Sequence, residues 1–305
     1  MKEKHNAPHG IFTASLTPLK RDYSIDHQLF CKHCNWLLEN GCDGLVILGT
    51  TGEANSFSVA ERMEALKAII KSGISANKLI VGTGCCSFRD TLSLTQHAVN
   101  LGVMGVLVLP PFFYKEIDDE GLYEYFKMII NKTDNPELKI LLYNIPQLTG
   151  IRFSHGFTER LSENYPDTIV GIKDSSGDWD YLNATFNSFP KLRIIPGTEK
   201  YLLDILQMGG YGCISATANI TCGLAAEIYK RWNTDDISEL NEKMLTIRQL
   251  IESFPLIPAL KAVISEWTNR SAWKHVRPPH IELDEKTSKE LMDKLQRLDF
   301  HADMY

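Results

Sequence analysis

Residues 169–176 read Ile169-Val170-Gly171-Ile172-Lys173-Asp174-Ser175-Ser176, an apolar run that ends in one lysine and then turns polar. Such a run is typical of a parallel strand that is buried on both faces and opens into a loop at its carboxyl end. Lys173 stands at that opening, where loss of water disfavours the charged ammonium. A neutral amine there can attack a ketone and form a Schiff base. The alternative is a lysine whose amine reaches solvent or pairs with Asp174.

Similar short apolar runs recur along the chain, and amphipathic stretches separate them. The predicted strands are Gly10–Thr17, Gly44–Gly49, Lys78–Gly84, Gly105–Leu109, Lys139–Asn144, Ile169–Lys173, Arg193–Pro196 and Gly212–Ala216. The helical patterns are Asp26–Asn40, Val59–Lys71, Asp90–Leu101, Gly121–Asn131, Phe157–Asn164, Trp179–Phe189, Tyr201–Met208 and Leu224–Trp232. Eight strand–helix units predict an α/β fold, a (β/α)8 TIM barrel. A doubly wound open sheet is the alternative, but it does not normally need eight similar units.

After Trp232 the pattern contains helices only, at Asp236–Phe254, Ile257–Asn269 and Asp284–Leu298. We therefore expect residues 1–232 to form the barrel with its catalytic site. Residues 233–305 are expected to form a C-terminal helical region that packs on the barrel or on a partner subunit.

Composition excludes several classes of function. The 305 residues are 44% hydrophobic and 23% charged with a net charge of −6, and no Lys/Arg-rich run indicates nucleic-acid binding. No apolar run approaches the roughly 18 residues of a membrane span. Residues 1–6 lack the apolar stretch of a signal peptide. Seven cysteines, an odd number, indicate a reducing compartment, so we expect a cytoplasmic protein.

Metal and cofactor sites are not predicted. Cys31-x-x-Cys34 falls inside a helical pattern and has no second pair at zinc-finger spacing, so packing is its default role. The nine histidines fall in predicted helices, loops or termini and not at strand ends, where a barrel would hold a metal.

Chemically useful side chains follow several strands. Gly49-Thr50-Thr51-Gly52-Glu53 follows the second strand, and its hydroxyls and tight backbone suit a carboxylate. Tyr143 ends the fifth strand and Lys173 the sixth. Because reactive groups of a barrel gather at the carboxyl ends of its strands, an amine, a phenol and a hydroxyl pair are expected around one mouth.

These motifs, together with Thr149-Gly150 and residues 171–178, resemble the dihydrodipicolinate synthase / N-acetylneuraminate lyase family over nearly the whole chain. The resemblance implies metal-free, cofactor-free class I aldolase chemistry on a barrel that usually assembles as a homotetramer. It implies that Lys173 forms a Schiff base with pyruvate or another 2-oxo acid, and that Tyr143 donates and accepts the proton. Thr50 and Thr51 would bind the acid's carboxylate, helped by loop amides such as that of Gly52.

Two positions depart from the synthases of that family. Where those enzymes place an arginine for the aldehyde's carboxylate, this chain has Leu148, which cannot make a bidentate contact. Where they use a second tyrosine in the loop after strand four, it has Phe113, with Tyr114 next to it as a possible substitute. Both departures argue against the synthase activity.

The lyase pattern fits only in part, since Glu199 could bind a polyol hydroxyl whereas Ala216 could not. The favoured function is therefore an aldolase or dehydratase for 2-keto-3-deoxy sugar acids or related 4-hydroxy-2-oxo acids. The alternatives are 4-hydroxy-tetrahydrodipicolinate synthase, N-acetylneuraminate lyase, a phosphate-binding or metal-dependent barrel enzyme, and a non-catalytic 2-oxo acid sensor.

Overall fold

A computed structural model describes residues 7–305, and all its structural features below refer to that range. Residues 1–6 lie outside this range. They include His5 and the start of the predicted barrel region, and the expectation about a signal peptide concerns them. The strands are β1 (Gly10–Ala14), β2 (Gly44–Ile47), β3 (Leu79–Gly82), β4 (Gly105–Val108), β5 (Ile140–Asn144), β6 (Ile169–Asp174), β7 (Arg193–Pro196) and β8 (Gly212–Ser215). They pair in parallel in the order β7-β6-β5-β4-β3-β2-β1-β8.

Helices lie between the strands and continue after the last one. They are α1 (His27–Glu39), α2 (Val59–Lys71), α3 (Phe88–Asn100), α4 (Asp119–Thr133), α5 (Pro146–Thr149), α6 (His155–Asn164), α7 (Trp179–Ser188), α8 (Leu202–Gln207), α9 (Ala218–Arg231), α10 (Ile237–Glu252), α11 (Leu256–Thr268) and α12 (Glu285–Arg297). The predicted TIM barrel with a C-terminal helical extension is confirmed.

Alternate residues of each strand serve two different cores. Ile80, Leu107 and Val170 belong to the cluster that fills the barrel interior. Their neighbours Leu79 and Val106 belong to the cluster between the sheet and the outer helices. Each such fully buried side chain contributes about 2 kcal/mol through the hydrophobic effect. Burial on both faces explains why the strands read as continuous apolar runs.

The C-terminal helices pack against the barrel. Residues of α11 and α12 share a buried cluster with Leu16, Leu29 and Ile220 of the barrel segment. Of the two packing partners left open by the sequence, the barrel is therefore one. The division of the chain at residue 232 stays a prediction.

Helix boundaries follow the local sequence signals closely where those signals are strong. The α2 helix has the predicted bounds, and Ser58 and Glu61 form a capping box at its start, with the Ser58 side chain accepting from Glu61 N. The α9 helix starts at Ala218, ahead of the predicted Leu224, because the residues between them carry little apolar periodicity. The one-turn helix α5, which starts with Pro146 at its first position, was not predicted.

Across residues 7–305, no helix combines the length and the apolar character needed to cross a bilayer.

Candidate active site

Lys173 and Tyr143 are neighbours across the β5–β6 pair. They are register partners in this parallel ladder, so their side chains point to the same face. Lys173 Nζ lies 4.4 Å from the centroid of the Tyr143 ring, and both residues are 4% exposed. An ammonium at this distance is attracted by the ring face, which positions the amine beside the phenol.

Asp174 has a separate role from Lys173. Successive strand residues point to opposite faces, and the two side chains form no ion pair. Asn144 Nδ2 donates to Asp174 Oδ1 at 2.6 Å, and Ser176 Oγ donates to Oδ2 at 2.9 Å. Burial raises the pKa of Asp174, although these hydrogen bonds oppose the rise. Asp174 thus links the ends of β5 and β6 through hydrogen bonds and does not form an ion pair with the amine of Lys173.

The two threonines after β2 reach the same site. Thr50 Oγ1 lies 3.3 Å from the Tyr143 hydroxyl, within hydrogen-bonding distance. Thr51 is buried beside it at 7% exposure. The amine, the phenol and the hydroxyl pair that the sequence placed at three strand ends therefore lie around one mouth.

Backbone strain and buried contacts hold this threonine loop in place. Leu48 and Glu53, on either side of it, have positive φ angles of 54° and 56°, which non-glycine residues rarely adopt. Gly52 is buried, its carbonyl accepts from Thr17 Oγ1 at 2.8 Å, and a Cβ added to it would lie 2.9 Å from a backbone oxygen. Lys261 of α11 is fully buried and donates to the Glu53 carboxylate. The C-terminal helices thus fix the loop that carries Thr50.

A cavity of about 450 Å³ opens over these residues. Of the predicted site residues it contacts Lys173, Tyr143, Thr50, Thr51 and Ala216. Leu148 also lines it, at 59% exposure. The remaining wall carries mostly hydroxyl, amide and charged groups, from Gln147, Ser175, Ser176, Thr198, Lys200, Tyr201, Arg248 and Glu252.

Glu199 does not line this cavity. It is fully buried, and its carboxylate accepts hydrogen bonds from Arg248 Nη1 at 2.5 Å, Thr217 Oγ1 at 2.5 Å and Thr221 Oγ1 at 2.9 Å, and also from the Ser215 hydroxyl. Burial alone would raise the pKa of Glu199, but the charge of Arg248 and these hydrogen bonds outweigh it and lower the pKa. All these donors compete with a polyol hydroxyl, so the structure does not support the expected sugar contact.

Arg248 and Glu252 are site residues that the sequence did not predict. Both lie on α10 and line the cavity, and Arg248 Nη2 donates to Glu252 Oε1 at 2.5 Å. In the sequence they form an i,i+4 pair on an amphipathic helix, which is typical of a solvated surface. Only the packing of α10 over the barrel brings them to the site.

Phe113 and Tyr114 do not line the cavity. They are 70% and 72% exposed, and their rings contact each other at 5.3 Å. Lys115 anchors the loop that carries them, since its Nζ donates to Thr149 O at 2.8 Å. Within a single chain, Tyr114 therefore does not supply the hydroxyl that Phe113 lacks.

Among the described residues, no group of three or more His, Cys, Asp and Glu side chains could hold a metal ion. The seven cysteines are free thiols, and Cys34 is fully buried, in keeping with a packing role.

Comparison with known proteins gives a consistent picture. The model of the dihydrodipicolinate synthetase family matches residues 7–298. An uncharacterized DapA-like lyase of Chloroflexus aurantiacus is 33% identical over 278 residues, covering 90% of this chain and 92% of that protein. The 4-hydroxy-tetrahydrodipicolinate synthase of Methanopyrus kandleri is 32% identical over 295 residues, covering 95% and 96%.

A third relative, YagE of Escherichia coli K12, is named provisionally as a 2-dehydro-3-deoxy-D-gluconate aldolase. It is 28% identical over 300 residues, covering 95% of this chain and 98% of that protein. Its crystal structure in complex with pyruvate superimposes with a TM-score of 0.88, at 26% identity and covering 96% and 99% of the two chains.

Proposed function

This chain belongs to the dihydrodipicolinate synthetase family of lyases, and we propose on that premise that it forms a Schiff base with a 2-oxo acid. The observation that carries the proposal is the position of Lys173 Nζ, 4.4 Å from the Tyr143 ring in a cavity lined by both threonines. The amine is buried and without an ion-pair partner among residues 7–305. Pyruvate bound to the relative YagE supports the choice of a 2-oxo acid.

In the proposed reaction, neutral Lys173 attacks the keto carbon, and the keto oxygen leaves as water. The resulting iminium accepts the electron pair of the C3–C4 bond when that bond breaks, which yields an enamine and an aldehyde. Tyr143 takes the proton of the C4 hydroxyl and returns a proton to C3. Hydrolysis then releases pyruvate and Lys173. Loss of water from C3 and C4 of the same iminium would be the dehydratase variant.

The paired hydroxyls orient the substrate for this step. Thr50 and Thr51, with the amides of their loop, are proposed to bind the carboxylate next to the keto group. Holding the acid there aligns its keto carbon with Lys173 and its C4 hydroxyl with Tyr143, which supplies the proximity contribution to catalysis.

The cavity walls favour a hydroxylated substrate chain. Leu148 stands where a carboxylate-binding arginine would be needed for the synthase reaction, and its apolar side chain lines the cavity. Serine, threonine and amide groups on the other walls can hydrogen-bond hydroxyl groups. We therefore propose a 2-keto-3-deoxy sugar acid or a related 4-hydroxy-2-oxo acid, in keeping with the provisional name of YagE.

Assembly and location follow from the resemblance to the family. We propose a cytoplasmic homotetramer that needs no cofactor or metal. The exposure of Phe113 and Tyr114, 70% and 72%, supports a subunit contact, since a partner would remove both rings from water. Light scattering on the purified protein measures the assembly, and unchanged activity in a chelator is the matching test for metal independence.

Reductive trapping tests the chemistry. Treatment with pyruvate and borohydride should add one reduced pyruvate to the wild-type protein, detected by intact-mass analysis and mapped to Lys173. Lys200→Ala removes another lysine of the same cavity and should leave trapping unchanged, whereas Lys173→Ala should abolish it. No mass gain in the wild-type protein would end the proposal.

A substrate panel tests the rest. Keto sugar acids, 4-hydroxy-2-oxo acids, N-acetylneuraminate and the synthase substrates should be assayed for both cleavage and dehydration. Turnover of a sugar acid supports the proposal. Trapping of pyruvate without any turnover would favour the sensor, and preference for the synthase or sialic acid substrates would favour those activities.

A further inference from the structure

Arg62 is a buried cation that lacks a carboxylate partner in the part of the chain that the structure describes. It lies on α2 and is 3% exposed. Nη2 donates to Gly82 O at 2.8 Å, and Nη1 donates to Cys85 Sγ at 3.1 Å. Its Nε has no hydrogen-bond partner within the described part of the chain. No Asp or Glu oxygen of residues 7–305 lies within ion-pair distance of this guanidinium, although burying an unpaired charge is costly.

A narrow crevice connects this cation to the reacting groups. Arg62, Thr50 and Tyr143 line the same crevice, which offers about 10 Å³ of free space, close to what one water molecule needs. Thr50 Oγ1 lies 3.3 Å from the Tyr143 hydroxyl, so two of the residues that border the crevice interact with each other. The crevice lies against the wall of the catalytic cavity that the two residues also line.

We propose that Arg62 is a positioning residue for proton transfer, whose buried positive charge stabilises the deprotonated phenol of Tyr143 across the crevice. The inference rests on the proposed function, because it concerns the acid–base step assigned to Tyr143. In cleavage the proton leaves the C4 hydroxyl and goes to the phenolate oxygen, while the C3–C4 electron pair goes to the iminium. A cation that favours the phenolate therefore makes the base available at lower pH.

The thiol beside Arg62 does not cancel its charge. Burial raises the pKa of the Cys85 thiol, although the nearby guanidinium opposes that rise, so the sulfur is uncharged at neutral pH. Other titratable groups lie beside Cys85 or beside Tyr143. Cys86 after β3 and Asp90 on α3 act on the Cys85 thiol, the Tyr125 hydroxyl on α4 donates to Cys85 O, and Lys173 on β6 lies over the Tyr143 ring. Asp90 acts on Cys85, and Lys173 carries the iminium during the reaction, so Arg62 adds a second, permanent positive charge.

The test is the pH dependence of kcat for cleavage of the panel substrate that the wild-type protein turns over fastest. In Arg62→Gln the acidic limb of the profile should move to higher pH by about one unit, with about tenfold slower turnover on that limb. Cys85→Asp should cause a shift in the same direction, because a carboxylate there neutralises the guanidinium without removing it. Agreement between the two variants separates the charge of Arg62 from its structural contacts.

Two variants serve as controls. Arg62→Lys keeps the positive charge, so the acidic limb of its kcat profile should lie at the same pH as in the wild-type protein. Arg89→Gln removes a positive charge from an exposed position of the adjacent helix α3 and should have no effect. Thermal unfolding identifies any variant that does not fold, and Cys85→Asp then carries the test if Arg62→Gln fails.

Trapping of pyruvate with borohydride is measured on every variant. If all folded variants trap pyruvate and the limb stays in place in Arg62→Gln and Cys85→Asp, the role of Arg62 is refuted while the Schiff-base function stands. A rise in KM without a shift of the acidic limb would also refute this role of Arg62, because it would indicate an effect on substrate binding only. If the wild-type protein fails to trap pyruvate, the proposed function itself has failed.

Discussion

At the scale of single residues, the positions at strand ends were the most predictable part of the site. Lys173, Tyr143 and Thr50 stand at the ends of three apolar runs, and the geometry of a parallel barrel brings such ends together. Glu199 also follows a strand, but its environment was not predictable. Its burial is decided by Arg248, which lies 49 residues later in the chain.

Arg62 shows the same limit of prediction. It falls in an amphipathic helix, where a charged residue usually faces solvent. The structure places it under the barrel mouth because the end of β3 supplies the Gly82 carbonyl as an acceptor. No local pattern distinguishes such a buried arginine from an exposed one.

Removal of the Tyr143 hydroxyl should separate the binding of pyruvate from its turnover. Tyr143→Phe keeps the ring beside Lys173 Nζ, so trapping with borohydride should persist, but turnover should fall by about 10²- to 10⁴-fold because the proton carrier is lost. Steady-state kinetics and intact-mass analysis measure the two quantities. Tyr181→Phe removes a hydroxyl that bonds Phe153 O away from the cavity and should preserve both. Loss of trapping in Tyr143→Phe equal to that in Lys173→Ala would assign Tyr143 a different role.

At the scale of elements, prediction succeeded where local physics decides. The helical pattern predicted both ends of α2, and a capping box of Ser58 and Glu61 stabilises its start. The start of α9 and the existence of α5 depend instead on tertiary contacts around the barrel mouth, where small and polar residues mask the helical period.

The helix α2 is also tied to the C-terminal region by an ion pair whose effect on stability depends on pH. The Glu61 carboxylate pairs with Arg277, and Arg277 Nη1 also donates to Ser56 O at 2.6 Å. The hydrogen bond from Arg277 is the main cause that lowers the pKa of Glu61 from 4.5 to about 2. Because the folded-state pKa lies below the unfolded one, this stabilisation is present above about pH 4.5 and is lost as the pH falls toward 2.

Glu61→Gln should therefore lower the free energy of unfolding at pH 7 by about 1 to 2 kcal/mol, a value discounted for the partial exposure of the pair. The glutamine can still accept from the Ser58 amide, so the helix cap is largely kept. Urea unfolding of both proteins at several pH values should show the difference shrinking to near zero by about pH 2. Glu290→Gln, in an exposed pair with Lys294, should change stability by less. A difference independent of pH would mean that the charge of Glu61 contributes nothing.

At the scale of the whole molecule, the eight-unit repeat predicted the barrel, but the manner of its closure lies beyond the sequence. The hydrogen-bonded strand order begins at β7 and ends at β8, so these two strands form the seam. Glu199, just after β7, accepts hydrogen bonds from Ser215 at the end of β8 and from Thr217 beyond it. Arg248 of α10 binds all three side chains, so the C-terminal region bridges the seam at the catalytic end of the barrel.

This bridge predicts that the seam depends on one cation. Arg248→Met leaves the Glu199 carboxylate fully buried without a counterion, and breaking a buried pair in this way costs about 3 to 5 kcal/mol. Urea unfolding at pH 7 measures the loss. The double variant Arg248→Met/Glu199→Gln should recover a large part of it, because no buried charge is then left unpaired. Arg231→Met breaks two exposed pairs, one with Glu227 of α9 and one with Asp236 ahead of α10, and should cost less than about 1 kcal/mol. Equal losses at Arg248 and Arg231, or no recovery in the double variant, would show that packing across the seam, and not the buried charge pair, closes the barrel.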